Sequence, residues 1–267
     1  LLSNGLSDLE KLTKVRNELL RLSEKTLKQN HSYTIQGRMD IDPLGSWHNP
    51  EFEKETGGFL PRVNSHNKHI IREFCDLESY DSVRKDMIAL LLRTIIENDT
   101  FGDFAELGVY KGHTAKLIHY FAPERKLHLF DTFTGFHQID LQKENKQIQE
   151  SESINAFRDT SIEGVKNFVS MKNNNVFFHQ GYFPDTIPTE LFKTKFAFVH
   201  LDADLYQPTL EGLKFFYERL SKKGIILCHD YNSWPGSRKA IDEFLVDKAE
   251  IAIPMPDKSG SAIIVKH

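Results

Sequence analysis

Carboxylates and one imidazole stand where several apolar, strand-like runs of this 267-residue sequence end. Phe196 to Leu201 runs into Asp202 and Asp204, Gly224 to Cys228 into His229 and Asp230, and Leu127 to Phe130 into Asp131. Acidic and imidazole groups at neighbouring strand tips are what a divalent-cation site requires, and carboxylate oxygens are the hard donors that Mg2+ and Mn2+ take. The competing reading is structural, because such groups also cap strand ends and hydrogen-bond to loop backbone. Asp204 in particular, followed by Leu205 and Tyr206, reads as the opening of a helix, where an Asp stabilises the first turn.

A second chemical signal is the segment FAELGVYKGHT from Phe104 to Thr114, a strand running through a glycine turn into a helix with the pattern E-x-G-x-x-x-G. Gly108 permits a tight turn after the strand, and Gly112 lets a ligand or a helix approach where a Cβ would stand in the way. A dinucleotide fingerprint would need G-x-G-x-x-G, and Tyr110 occupies its second glycine, so NAD is disfavoured. No G-x-x-x-x-G-K-[ST] occurs, which removes a P-loop. Asp131 ends the next strand about 20 residues further on, the place from which a carboxylate in a doubly wound sheet grips ribose hydroxyls. A nucleoside ligand without a pyrophosphate is therefore expected.

These residues need a scaffold, and the sequence supplies one by alternation. The strand-like runs Phe104 to Leu107, Leu127 to Phe130, Val176 to Phe178, Phe196 to Leu201 and Gly224 to Cys228 are separated by helical periods near Thr114 to Phe121, Ile154 to Val169, Thr209 to Leu220 and Ser237 to Asp247. The last two runs, Ile251 to Ile253 and Ser261 to Val265, are close enough to pair as an antiparallel hairpin at one edge. The pattern predicts an α/β fold, doubly wound, with a mostly parallel seven-stranded sheet and helices on both faces. A helix over Tyr80 to Asn98, with Val83, Met87, Leu90, Leu91 and Ile95 as its apolar stripe, leads into it.

Residues 80–267 are thus read as the ligand-binding domain and 1–79 as an N-terminal helical and irregular extension. In the extension, Ser7 and Glu10 form a capping-box pattern ahead of Leu12, Val15, Leu19 and Leu22, an amphipathic helix suited to homodimerisation or to packing on its own chain. His31 to Asn67 is rich in Gly, Pro, Asn and His, and reads either as a lid or binding element or as a surface-packed extension. Gln138 to Glu152 is the most polar stretch and reads as a surface excursion.

Composition excludes several classes of function. With 34 basic against 38 acidic side chains and a net charge of −4, the chain lacks the basic surface on which nucleic-acid and anionic-membrane binding rest. No apolar run approaches the roughly 18–20 residues that span a bilayer, and the first ten residues lack a secretory signal pattern, so a cytoplasmic protein is expected. Cys75 and Cys228 stand in dissimilar contexts and make neither a disulfide framework nor a CxxC pair. His113, His128, His179 and His200 read as surface or packing histidines, Cys228 as a small buried hydrophobe, and Arg158, Lys166 and Lys172 as solvated helix faces.

Taken with five further ordered motifs, the glycine segment and Asp131 resemble class I S-adenosylmethionine-dependent methyltransferases, and among them the macrocin O-methyltransferase family of sugar O-methyltransferases. The motifs are DTFTG from Asp131, FRDTSIEGV from Phe157, GYFPDTIP from Gly181, LDADLYQPT from Leu201 and HDY from His229. The resemblance runs from about Tyr80 to Asp247. It implies a Rossmann-like methyltransferase fold and S-adenosyl-L-methionine as methyl donor. The cofactor would be held by Glu106, Gly108, Tyr110, Gly112 and Thr114, by Asp131, Thr132 and Phe133, and by Gln180 and Gly181, while Phe133 and Tyr182 either flank the adenine or belong to the core.

The resemblance also implies a divalent metal, Mg2+ in the first instance, on Asp202, Asp230 and the residue at 229. That pair is commonly two acids, and His229 opens the site to Mn2+ or another ion. Asp202 would further act as the catalytic base. The implied acceptor is a hydroxyl of a sugar or glycosylated small molecule, in natural-product or surface-glycan biosynthesis; the irregular segment and the Tyr231 to Gly236 loop offer Tyr33, Thr34, Trp47 and Tyr231 as candidate lid and substrate residues. Two other readings stand beside this one. One is a methyltransferase of a catechol-like or other small hydroxylated acceptor, the other a non-catalytic nucleoside-binding or scaffolding module.

Overall fold

The computed structural model describes residues 82–144, 155–169 and 175–267. The chain divides into two compact units, Leu1–Ser82 and Val83–His267, and the second carries the sheet. The expected N-terminal helix, the lid with Tyr33, Thr34 and Trp47, and residues 145–154 of the polar stretch lie outside the described residues.

Helix α1 (Ser82–Glu97) leads into the sheet. It buries Met87, Ile88, Leu92 and Ile95, so its inner face is rotated slightly from the expected stripe, and Leu90 and Leu91 are only half-buried. The rest alternates: β1 (Asp103–Leu107), α2 (His113–Phe121), β2 (Leu127–Asp131), a short α3 (Gln138–Leu141), α4 (Ile162–Val169), β3 (Val176–Gln180), a 3-10 turn (Thr189–Lys193), β4 (Phe196–Leu201), α5 (Tyr206–Arg219), β5 (Leu220–Cys228), α6 (Pro235–Leu245), β6 (Ile253–Pro254) and β7 (Ala262–Val265). The strands form one seven-stranded sheet in the order β3-β2-β1-β4-β5-β7-β6. β1 to β5 are parallel, and β7 runs antiparallel to both β5 and β6.

Helical crossovers on both faces explain the composition of the central strands. All six residues of β4, FAFVHL, are buried, and β1 and β2 are buried but for one end, whereas the edge strand β3 is largely half-exposed. Phe130, Phe183, Phe196 and Phe216 make the aromatic centre of one layer, with ring centroids 5.4 Å apart for Phe130–Phe183 and 5.1 Å for Phe196–Phe216. Burying a side chain of this kind contributes about 1.5–3 kcal/mol.

Several boundaries differ from the sequence reading. α4 starts at Ile162, well inside the expected helix. β5 begins at Leu220 because Leu220 pairs with Phe196 before the register shifts ahead of Ile225. The polar stretch is not all surface: Asp140 and Glu144 are buried. Glu144 Oε1 accepts from Tyr206 N at 2.6 Å, so a carboxylate sits at the first turn of α5, where the helix dipole favours it.

Strand order reverses between β1 and β4, and in such sheets ligands bind in the crevice beyond the strand ends at that point. The ladder continues one residue past each tip. Gly108 N donates to Phe130 O (2.9 Å), Asp202 N to Leu107 O (2.8 Å), His229 N to Leu201 O (2.8 Å) and Gly181 N to Asp131 O (2.9 Å). The residues beyond the strands therefore inherit the rigidity of the sheet.

Candidate functional site

Asp202 and His229, beyond the adjacent strands β4 and β5, meet side chain to side chain, and Asp230 joins them. His229 Nδ1 lies 2.8 Å from Asp202 Oδ1 and 2.7 Å from Asp230 Oδ2. The outer oxygens have other partners: Arg84 Nη2 lies 2.6 Å from Asp202 Oδ2, and Ser233 Oγ donates to Asp230 Oδ1 at 2.6 Å. Among the described residues, Asp202, His229 and Asp230 form the one group able to hold a metal ion, with donor atoms within 4.8 Å of one another. The donor set fits a divalent cation, two carboxylates each turning one oxygen to a shared point and an imidazole nitrogen between them.

The electrostatics follow from that packing. Burial alone would raise the Asp202 carboxyl, but His229 and Arg84 more than offset it and hold the group well below the usual range. Burial likewise opposes charge on His229, yet the two carboxylates outweigh it and push its pKa up to about 10 when a proton sits between them. Asp204 goes the other way. Burial and the charges of Asp230 and Asp202 push its carboxyl well above the usual range, and its side chain hydrogen-bonds to Asp230. It precedes α5 with φ 57, and Leu205 takes the N-cap, which corrects the reading of Asp204 as a helix-opening residue. Asp230 is also left-handed, at φ 60.

The glycine loop is built around two close approaches. A Cβ on Gly108 would stand 1.9 Å from the Asp202 carbonyl oxygen, so this glycine lets the β1 and β4 tips touch. A Cβ on Gly112 would stand 2.7 Å from Val169 Cγ2 and 2.8 Å from Val165 Cγ1, so this one admits α4. Asp131 closes the loop: its Oδ2 accepts from Val109 N (2.6 Å) and Tyr110 N (2.8 Å), and its Oδ1 from Phe133 N (2.6 Å). Oδ1, with one amide, retains acceptor capacity.

Other expected cofactor residues have varied surroundings. Glu106 is buried in β1, where its Oε1 meets His200 Nδ1 at 2.9 Å. Burial pushes the His200 pKa down to about 3, so a neutral imidazole faces the carboxylate. Thr114 Oγ1 accepts from Arg84 at 3.3 Å. Tyr110 donates its hydroxyl to Asp159 (2.7 Å), Thr132 Oγ1 donates to Gly135 O (2.6 Å), Phe133 is buried, and Gln180 stands exposed at the β3 tip beside Gly181. The Tyr182 hydroxyl goes to Asp140 (2.9 Å). Tyr231 is buried in the core with its hydroxyl on Asp242 (2.7 Å), a structural engagement for a residue expected at the substrate.

Sequence reasoning missed Arg84, one basic residue among several on its helix, whose role depends on α1 crossing the β4 tip. It also missed an aromatic row. Tyr110, Phe157, Phe136 and Trp234 meet edge to face in sequence, at centroid distances of 5.1, 5.3 and 5.8 Å, linking the glycine loop to the loop after β5. Nothing in the spacing of these four residues signals their contact.

The chain is similar in sequence and fold to several known proteins. The chain is 25% identical over 170 residues to demethyldecarbamoylnovobiocin O-methyltransferase of Streptomyces niveus, covering 60% of this chain and 64% of that protein. It thus spans less than two thirds of that relative's length. It is also 25% identical over 194 residues to 8-demethyl-8-(2,3-dimethoxy-alpha-L-rhamnosyl)-tetracenomycin-C 4'-O-methyltransferase of Streptomyces olivaceus, covering 69% and 73%. The solved O-methyltransferase NovP superposes with a TM-score of 0.60 at 25% identity, over 68% of this chain and 79% of that one. The family model described as Macrocin-O-methyltransferase (TylF) matches residues 81–264, more than half of the sequence, and the chain belongs to that family.

Proposed function

We propose that the chain is an S-adenosylmethionine-dependent O-methyltransferase of a sugar or glycosylated small molecule, assisted by a divalent cation on Asp202, His229 and Asp230. The observation that carries this reading is the meeting, at the sheet's switch point, of the Asp131-braced glycine loop with that three-donor cluster. Gly108, by touching the Asp202 backbone, makes the two halves one structure. Family membership supports the methyl donor, and the rhamnosyl acceptor named for one relative supports a sugar hydroxyl.

In this reading the loop Gly108 to Gly112, with Thr114, holds the methionine part, and Asp131 Oδ1 accepts from a ribose hydroxyl. Thr132, Phe133, Gln180 and Gly181 border the nucleoside. Glu106 acts from beneath, by bracing the β1 tip through His200. Aligning donor and acceptor for in-line displacement can supply up to roughly 7–11 kcal/mol of the barrier reduction. A sugar hydroxyl is far too weak an acid to react unaided, and a bound cation supplies the acidification. Asp202 orients and ligates first. With its carboxyl held low by Arg84 and His229, it accepts a proton only from a hydroxyl already acidified.

The test is calorimetry with S-adenosylhomocysteine on the full chain, followed by a methyl-acceptor screen over nucleotide sugars and glycosides with and without chelator. Saturable binding of S-adenosylhomocysteine and chelator-sensitive methylation of a glycoside are expected. Absence of cofactor binding removes the reading.

A further inference from the structure

The cluster's donors differ in kind, and each carboxylate already has one oxygen committed. Arg84 occupies Asp202 Oδ2 and Ser233 occupies Asp230 Oδ1. Facing the shared point are Asp202 Oδ1, Asp230 Oδ2 and, 2.8 and 2.7 Å from them, Nδ1 of His229, with the Asp204 side chain hydrogen-bonded to Asp230 as well. Such a set is monodentate by construction, which is unfavourable to Ca2+, an ion that gathers six to eight oxygens and often takes carboxylates two-handed. It also suits Mg2+ poorly, because Mg2+ prefers oxygen ligands and the guanidinium of Arg84 discharges part of the acid that would attract it. An imidazole nitrogen added to two carboxylate oxygens favours first-row transition ions over Mg2+, and among them Mn2+ is the one that also suits the two oxygens.

The imidazole is fixed in place. His229 is 8% exposed, and its backbone N–H extends the β4–β5 ladder. Its Nε2 is buried with no hydrogen-bond partner among the described residues, so Nδ1 is the nitrogen engaged with the cluster.

We infer that this site takes a first-row transition ion in preference to Mg2+, with His229 Nδ1 as a ligand and Mn2+ as the representative ion. The inference rests on the cation site of the proposed function and specifies its occupant. The test uses the metals alone on the full chain: Mn2+ titration followed by electron paramagnetic resonance, with Mg2+ in competition, and pulsed spectra in natural-abundance and uniformly 15N-labelled protein. Mn2+ should bind at one site with an affinity roughly tenfold or more above that of Mg2+. Its spectrum should carry nitrogen modulation that changes with the isotope. In His229→Asp the modulation should vanish and Mg2+ should compete on nearly equal terms, with S-adenosylhomocysteine binding retained as the check on folding.

The wild-type isotope experiment stands by itself if that variant does not fold. Equal affinities for Mg2+ and Mn2+, or a bound Mn2+ without nitrogen modulation, overturn the inference and leave the metal-assisted reading in place. If neither ion binds, the inference and the metal-assisted reading both fall.

Discussion

At Asp202 the two carboxylate oxygens have different partners, and the proposed chemistry uses the one turned to His229. Arg84 holds Oδ2 at 2.6 Å while Oδ1 faces His229. Groups that orient a metal-binding or reacting carboxylate typically contribute 10–100-fold, so Arg84→Gln should lower turnover by roughly that factor. S-adenosylhomocysteine affinity, measured by calorimetry, should change little, with Arg84→Lys recovering part of the rate. Asp131 predicts the complementary phenotype. Asp131→Ala strands two amides of the glycine loop and one beyond it, and the loss of these charge-assisted bonds, of the order of 1.5–3 kcal/mol each when fully made, should weaken cofactor binding at least tenfold. An unchanged calorimetric affinity would mean that Asp131 braces the loop without serving the ligand.

At the scale of elements, two glycines set how closely neighbouring parts can approach. Gly112→Ala would place a methyl group against the branched side chains of Val165 and Val169 on α4, at a backbone φ of 82. Overpacking and left-handed strain together should cost about 1–3 kcal/mol, read as a lowered urea midpoint with little change in the slope. Glu144 has the corresponding role at the start of α5. Its carboxylate accepts from Tyr206 N, and a Cβ on Gly236, in the first turn of α6, would stand 2.6 Å from both its oxygens. Glu144→Ala should therefore loosen the N-termini of two helices and cost about 1–2 kcal/mol by the same assay. The polar stretch containing Glu144 looked like surface because its composition is polar. Its burial comes from α5 and α6, which are roughly 60 residues or more away in sequence and supply partners that composition cannot show.

For the molecule as a whole, the acid side of the stability profile belongs partly to His179. This imidazole stacks on Phe130 at 4.4 Å, and burial, aided by His128, pushes its pKa down to about 4 from an ordinary value near 6.5. Between those values the unfolded chain binds the proton and the folded chain does not, so stability is full above about pH 6.5 and is lost as the pH falls from there to about 4. Urea midpoints measured from about pH 7 to 4 should fall accordingly, and His179→Gln should flatten the slope in that window.

The sequence by itself determined the fold class, the positions of the strands and the identity of the tip residues. It could do so because apolar runs, glycine turns and strand-tip acids are local patterns imposed by hydrogen bonding and burial. Only the tertiary structure decided which oxygen of Asp202 is turned to His229, that Asp230 and Asp202 push the Asp204 carboxyl up, that Glu106 faces His200 rather than open solvent, and that Arg84 belongs to the site. Those facts depend on distances between elements far apart in the chain, where a shift of an ångström changes the partner, and no local pattern encodes them.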